Sequence, residues 1–197
     1  MVAAGIDKAA RAVILIGFMG AGKSSVGRAL GERLGWAFED LDDRIERREQ
    51  RKVSDIFRDS GESGFRQAEH AALAELLGEL KPGAEKIVSL GGGTFAQQNN
   101  VRLIEASRVP TVFLDADVAE LWRRCQQQAE MQGTERPLLG SARSFRELYE
   151  ARRPHYAKAL LRQETIGKTV EEIAMALVEA LGLDGKRKRQ RQRGGKK

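Results

Sequence analysis

The chain has 197 residues, the size of one domain with a substantial core. Its one cysteine, Cys125, excludes an internal disulfide, and its longest apolar runs of five or six residues fall far short of the ~20 that a membrane-spanning helix needs. We therefore expect a soluble, cytoplasmic protein, in which residues 1–11 form an N-terminal extension without the apolar stretch of a secretion signal.

Short apolar runs alternate with helical patterns along residues 12–184. The candidate strands are Val13–Ile16, Trp36–Phe38, Ile87–Leu90, Val109–Leu114 and, as the weakest, Glu164–Ile166. The helical patterns cover residues 25–34, 41–49, 62–80, 98–106, 117–129, 144–161 and 169–182. This alternation predicts an α/β fold in which helices cover both faces of a parallel five-stranded sheet, with ligand loops at the carboxyl ends of the strands.

The firmest single motif lies between the first strand and the first helix. Residues 17–24 read G-F-M-G-A-G-K-S, which matches the phosphate-binding pattern G-x-x-x-x-G-K-[ST]. Its glycines let backbone N–H groups point at phosphate oxygens, and the helix N-terminus adds partial positive charge. In such a loop the lysine reaches the β- and γ-phosphates and the serine hydroxyl binds Mg²⁺. The motif predicts an ATP site formed by Gly20, Ala21, Gly22, Lys23, Ser24 and Ser25.

Acidic and glycine-rich loops after later strands are candidates for binding a second substrate. In Asp40-Leu41-Asp42-Asp43, one carboxylate could hold water on Mg²⁺ and another could accept a proton, or an aspartate could simply cap the next helix. The run Gly91-Gly92-Gly93 either lets a ligand approach the backbone or forms a plain tight turn. Asp115 ends an apolar strand as in a Walker B motif, but a helix and a polar loop follow, so we expect no catalytic role for it.

Arginines supply the remaining candidates. Arg66 follows Gly64-Phe65 in a helical pattern, where a lone arginine usually lies on the solvated face. Arg136 lies in R-P-L-L and Arg152 in R-R-P-H-Y, and an arginine near a pocket can neutralise developing charge or hold a carboxylate through two hydrogen bonds. The polar segment 126–144 around Arg136 predicts a mobile lid loop.

Taken in chain order, these motifs resemble those of shikimate kinases. The matching motifs are G-F-M-G-A-G-K-S at 17–24, D-L-D at 40–42, G-F-R at 64–66, G-G-G at 91–93, R-P-L-L at 136–139 and R-R-P-H-Y at 152–156. The resemblance runs from about Val13 to Leu181. It implies a P-loop fold like that of nucleoside monophosphate kinases, with a lid. It also implies Mg²⁺-dependent transfer of the γ-phosphoryl group of ATP to the 3-hydroxyl of shikimate, in aromatic amino-acid biosynthesis.

The resemblance also implies roles for individual residues. Asp42 would bind the ring hydroxyls as the candidate base, and Asp40 would lie near the metal through water. Arg66 and Arg152 would hold the shikimate carboxylate. The glycines of residues 91–93, Gly92 foremost and then Gly91 and Gly93, would offer N–H groups to the substrate. Arg136 would close over ATP, and Arg124 would contact the adenine. Ser25 departs from the usual threonine, and the stretch from Arg124 to Arg136 is longer than is typical.

The net charge of +6 comes from the end of the chain. Residues 185–197 hold eight positive charges and no acid, so residues 1–184 carry a net charge of −2. We expect this basic tail to be disordered, as a solvated extension or as a nonspecific contact for polyanions. Two rival functions remain open at this stage: a kinase of another polyhydroxy acid, and an NTP-binding regulator that the tail tethers to nucleic acid. We expect a monomer without a membrane partner or a specific nucleic-acid partner.

Overall fold

The computed structural model describes residues 11–80, 83–132 and 140–183 of the chain. Within these ranges the strands are β1 (Ala12–Ile16), β2 (Ala37–Asp40), β3 (Lys86–Ser89), β4 (Thr111–Asp115) and β5 (Leu161–Glu164). The helices are α1 (Lys23–Leu34), α2 (Leu41–Glu49), α3 (Val53–Glu79), α4 (Gln98–Ser107), α5 (Val118–Gln132), α6 (Ala142–Tyr156) and α7 (Val170–Leu181).

The five strands form one parallel sheet in the order β2-β3-β1-β4-β5. Every residue of β1 and β4 is buried, which is why these strands read as continuous apolar runs instead of alternating patterns. Helices α1 and α7 pack together, as do α3 and α4, and one continuous core includes residues from the sheet and these helices. The predicted α/β class and parallel five-stranded sheet are confirmed.

Strand order brings the candidate loops together. Strand β1 lies at the centre, between β3 and β4, and β2 lies on the far side of β3. Because all strands are parallel, the loops after β1, β2 and β3 leave the same edge of the sheet. Ser89 near the end of β3 is in register with Asp40 of β2 and with Leu15 of β1. The phosphate-binding loop, the acidic loop and the triple glycine are therefore neighbours at this edge.

Three predicted elements have bounds that differ clearly from those in the structure. Helix α6 ends at Tyr156 instead of residue 161, and β5 occupies Leu161–Glu164 instead of Glu164–Ile166. Strand β5 is at the sheet edge, where only alternate residues are partly buried, so it carries a weak apolar signal. Ile166, which suggested the later position, is exposed. Helix α3 also begins earlier than residue 62, and Gly61 breaks it with φ 64° and ψ −174°.

The ends of the segment predicted as a loop, 126–144, are helical. Helix α5 continues to Gln132, and a capping box formed by Ser141 and Ser144 begins α6 at Ala142. Arg136, the N-terminal extension up to residue 10 and the basic tail 185–197 lie outside the described residues. In the three described ranges, no helix is both long enough and apolar enough to cross a bilayer.

Candidate active site

The loop after β1 has the geometry of an anion cradle. Gly20 has φ 79°, and a methyl carbon built on it would lie 2.7 Å from the Leu121 carbonyl oxygen and 2.9 Å from Cys125 Sγ. Only glycine fits this position. Gly22 is the left-handed N-cap of α1, so the first N–H groups of the helix have no intrahelical partner and are available to a phosphate.

The Lys23 side chain folds back over this loop. Its Nζ atom donates to the carbonyl oxygens of Gly17 at 3.0 Å and Phe18 at 3.1 Å. Burial lowers the pKa of Lys23, while the carboxylates of Asp42 and Asp40 act in the opposite direction. A partly buried ammonium group next to two carboxylates forms a strong local field, and a bound phosphate would replace the two carbonyl partners.

Ser24 and Asp40 meet at the N-terminus of α1. The Ser24 hydroxyl donates to Asp40 Oδ2 at 2.9 Å, and Asp40 Oδ1 accepts from the backbone N–H of Asp42 at 3.0 Å. Asp40 is therefore the N-cap of α2, which confirms the capping interpretation of this acid. Beside it in register, the Ser89 hydroxyl is buried and, within the described residues, has no hydrogen-bond partner.

This oxygen set fits Mg²⁺. The ion usually takes one or two protein ligands and completes its shell with waters and substrate phosphates. The described residues contain no group of three or more His, Cys, Asp or Glu side chains that could hold a metal by themselves. Ser24 and Asp40, together with the unpartnered Ser89 hydroxyl, offer what a phosphate-bound Mg²⁺ needs.

The triple-glycine turn after β3 brings together three of the predicted residues. A methyl carbon built on Gly91 would lie 3.0 Å from Asp42 Oδ1, and one on Gly92 would lie 3.6 Å from Arg152 Nη1. One on Gly93 would lie 2.8 Å from both terminal nitrogens of Arg66. The three side chains thus line one short stretch of backbone, where a methyl group on Gly91 or Gly93 would crowd the Asp42 carboxylate or the Arg66 guanidinium, while Gly92 has room for ordinary contact.

This turn also offers unused hydrogen-bond donors. Within the described residues, the N–H groups of Gly92 and Gly93 donate to no acceptor. Gly92 faces the phosphate-binding loop, with its built methyl position 3.7 Å from the Gly17 carbonyl oxygen and 3.8 Å from the Met19 nitrogen. Two free donors thus lie near two guanidinium groups beside the phosphate loop, one of which, that of Arg66, is paired with Glu62 and Glu69.

Asp42 is the titratable group of this site. The pKa of Asp42 is raised to about 6, chiefly by burial and next by the nearby Asp40 carboxylate, against the lowering effect of Lys23. Within the described residues, its carboxylate has no hydrogen-bond partner. A carboxylate with this pKa is ionised at neutral pH and free to accept a proton.

Arg66 differs from the solvated residue that its helical position predicts. Its Nη1 donates to Glu69 at 3.0 Å, and Glu69 is buried at 1% exposure. Glu69 also accepts from Thr94 Oγ1 at 2.7 Å and Asn100 Nδ2 at 3.4 Å. Sequence reasoning missed Glu69, although an acid three residues after Arg66 in an apolar helical pattern was a usable signal.

Arg152 lies above the ring of the loop residue Phe18, at 6.0 Å from Cζ to the ring centroid. Phe18 in turn makes edge-to-face contacts with Phe145 and Tyr149 of α6, with centroids 5.0 and 5.5 Å apart. Helix α6 is therefore packed directly on the phosphate loop, which fixes Arg152 relative to it.

The structure does not bring Arg124 into this cluster. Its guanidinium donates to Glu120 at 2.7 Å and to the hydroxyl and carbonyl oxygens of Thr165 at 3.0 and 3.2 Å, beside the β5–α7 loop. Asp115 is buried and paired with Arg162 at 2.7 Å and Arg153 at 3.3 Å. These ion pairs occupy its carboxylate.

Comparisons with known proteins identify the family of the chain. The shikimate kinase family model matches residues 19–182. A shikimate kinase of Persephonella marina is 39% identical over 164 residues, which cover 83% of this chain and 94% of that protein. One from Cereibacter sphaeroides is 40% identical over 174 residues, covering 87% and 82%.

A solved structure supports the same family assignment. Shikimate kinase from Acinetobacter baumannii, determined in complex with shikimate, superposes with a TM-score of 0.75 at 31% identity, covering 85% of this chain and 90% of that one. The chain therefore belongs to the shikimate kinase family and is an ATP-dependent kinase of shikimate.

Proposed function

We propose that the chain transfers the γ-phosphoryl group of ATP to the 3-hydroxyl of shikimate, with the glycine turn 91–93 as the platform for the acceptor. The observation that carries the proposal is the convergence of Asp42, Arg152 and Arg66 on this turn, next to the phosphate-binding loop. Shikimate is a carboxylate with ring hydroxyls. Two guanidinium groups and one carboxylate base are complementary to it.

On the nucleotide side, the loop and the start of α1 hold the triphosphate through the backbone of Gly20–Ser25. Lys23 leaves its carbonyl partners for the β- and γ-phosphates. Ser24 and, through water, Asp40 would hold Mg²⁺, which would neutralise phosphate charge when bound. Arg124 serves the adenine side and Arg136 closes over the nucleotide. The role of Arg136 rests on its motif alone, since the residue lies outside the described residues.

On the acceptor side, Arg66 and Arg152 hold the carboxylate, and the glycine N–H groups fix the ring. The 3-hydroxyl oxygen then forms a bond to the γ-phosphorus as the bond to the β–γ bridging oxygen breaks, releasing ADP. Asp42 orients the hydroxyl and takes its proton. Because phosphoryl transfer has a loose transition state, orientation and charge stabilisation supply most of the catalysis.

The direct test is a coupled ADP-release assay with ATP, Mg²⁺ and a panel of polyhydroxy acids that includes shikimate, quinate and gluconate. We expect shikimate to be the preferred acceptor and shikimate 3-phosphate to be the product by ³¹P NMR. Turnover of gluconate or quinate without turnover of shikimate would reject the proposal.

Replacing Arg66 by lysine tests the acceptor assignment. Lysine keeps the charge but loses the two-pronged geometry, so we expect KM for shikimate to rise about 10- to 100-fold while KM for ATP changes less than twofold. Arg44→Lys is the matched control, because Arg44 is a similarly buried arginine whose partners, Glu39 of β2 and Glu79 of α3, are not residues of the proposed site. Equal increases in both Michaelis constants for Arg66→Lys would contradict the assigned role.

Gly93→Ala tests the close approach of Arg66. The new methyl group would displace the guanidinium, since that flexible side chain yields more readily than the backbone. We expect about a tenfold rise in KM for shikimate with an unfolding midpoint within a few degrees of the wild type. Gly78→Ala in α3 is the control, because nothing lies within 4 Å of a methyl carbon there. An unchanged shikimate KM in Gly93→Ala would argue against this geometry.

A further inference from the structure

The Tyr156 hydroxyl links helix α6 to the triple-glycine turn. Tyr156 is fully buried, and its hydroxyl donates a hydrogen bond to the Gly92 carbonyl oxygen. Its ring packs on Phe113 of β4, with centroids 5.4 Å apart. The contact joins residues that are 64 positions apart in sequence. Neither the reaction nor the binding roles described above use this hydroxyl.

The bond fixes the direction of a main-chain donor. The described residues contain no cis peptide bond, so the Gly92 carbonyl and the Gly93 N–H point in opposite directions across one planar peptide unit. Anchoring the carbonyl on one side therefore sets the direction of the N–H on the other. A run of three glycines has few intrinsic restraints on its backbone, so an external anchor matters more here than in most turns.

The same helix also carries an acceptor-binding arginine. Arg152 lies four residues before Tyr156, on the same face of α6. The Arg152 guanidinium lies beside Gly92, whose carbonyl Tyr156 holds. The Tyr156–Gly92 hydrogen bond thus connects helix α6 to the glycine turn one helical turn away from Arg152. It thereby sets the distance between the Arg152 guanidinium and the free N–H groups of Gly92 and Gly93.

We propose that Tyr156 is a positioning residue for shikimate binding, which holds the Gly92–Gly93 peptide and Arg152 in one arrangement complementary to the acceptor. The inference rests on the proposed role of the glycine turn as the acceptor platform. Burial raises the pKa of Tyr156 to about 12, so the hydroxyl stays protonated and donates throughout the pH range of an enzyme assay.

The chain supplies a matched control. Its other tyrosine, Tyr149, lies on the same helix, is also buried, and donates to the Ala116 carbonyl oxygen at 3.1 Å, away from the glycine turn. Tyr156→Phe and Tyr149→Phe each remove one buried hydroxyl and leave one carbonyl without that donor. The Tyr149 hydroxyl also accepts from Arg153 Nε at 3.0 Å, so Tyr149→Phe should lose at least as much stability as Tyr156→Phe, and a loss of stability alone cannot account for a change confined to Tyr156→Phe.

Steady-state kinetics separates them. We expect Tyr156→Phe to raise KM for shikimate about tenfold and to change KM for ATP less than twofold, whereas Tyr149→Phe should leave both constants near the wild-type values. Parallel changes in both Michaelis constants, or the same shikimate KM in the two variants, would overturn the proposal. If wild-type enzyme does not phosphorylate shikimate at all, the proposed function fails instead.

A second measurement does not depend on the folding of Tyr156→Phe. In Tyr149→Phe enzyme grown with 3-fluorotyrosine, Tyr156 is the only labelled side chain, since the chain has two tyrosines. We expect its ¹⁹F resonance to shift when shikimate is added and to shift much less with ADP alone. A resonance that does not respond to saturating shikimate would also reject the positioning role.

Discussion

Replacing Asp42 by asparagine is expected to lower kcat by about 10²- to 10⁴-fold, the range typical of losing a general base. The change keeps shape and removes the proton acceptor. In the wild type the pKa of Asp42 is raised to about 6, chiefly by burial, and only the ionised form can take the proton. Activity should therefore fall about tenfold per pH unit below pH 6, and a pH–rate profile of kcat/KM measures this directly.

Asp43→Asn is the control for this prediction, because Asp43 is the adjacent, exposed acid on the same helix. It should keep kcat within a few-fold of the wild type. If Asp42→Asn retained most of its activity, or if the acidic limb near pH 6 persisted in it, another group would have to be the base.

Asp42→Asn should also be more stable than the wild type at neutral pH. The folded-state pKa of about 6 lies above the ordinary value of 3.8, so the folded protein holds this proton more tightly than the unfolded chain. Ionisation of Asp42 therefore destabilises the folded wild type. This effect is absent below pH 3.8 and complete above pH 6, and it lowers the free energy of unfolding by at most about 3 kcal/mol. Urea unfolding of both proteins at pH 7.5 and at pH 4 measures the difference in their free energies of unfolding. If Asp42→Asn were stabilised as much at pH 4 as at pH 7.5, the raised pKa of Asp42 could not be the cause.

Lys23→Met is expected to lower kcat by about 10²- to 10³-fold or more. Methionine keeps the apolar part of the side chain but removes the charge that would act on the β- and γ-phosphates. The Lys23 ammonium also lowers the pKa of Asp42, so its removal should shift the acidic limb of any residual activity to higher pH. Single-turnover rates across pH 5–8 measure both effects.

Arg28→Met provides the comparison for Lys23→Met. Arg28 also lies on α1, but it is exposed and packs over the Phe38 ring instead of facing the loop. We expect near wild-type kcat and an unchanged pH profile in this variant. A loss of activity as large as that of Lys23→Met would mean that the mutation disturbs α1 in general and would remove the specific role of the lysine.

The phosphate-binding loop could be predicted in full because its determinants are local. Glycines at the sharp turns, an apolar strand before them and a helix after them lie within a few consecutive residues. The same holds for Asp40 at the start of α2. Strand β5 could not be placed correctly, because its pairing with β4 determines its position and the edge of a sheet leaves little apolar pattern.

The proposed acceptor site depends on contacts between distant parts of the chain. Considered alone, Arg66 looked like a surface residue, and only the resemblance to a family gave it a role. The structure explains the position of the Arg66 side chain, since buried Glu69 accepts a hydrogen bond from its guanidinium, which lies close beside Gly93. Glu69, Ser89 and the Tyr156–Gly92 bond had no recognised role in the sequence, because what they do depends on partners from other elements.

By itself, the sequence determined the fold class, the nucleotide-binding loop and, through the order of its motifs, the family. These depend on short-range backbone preferences and on the spacing of apolar residues. Only the tertiary structure decided how the second site is built. The strand order β2-β3-β1-β4-β5 places the loops after β1, β2 and β3 at one edge, so that Asp42, Arg66 and Arg152 meet around the glycine turn. The physical reason is that burial and close approach, which raise the pKa of Asp42 and hold the guanidinium groups, exist only after the core has packed.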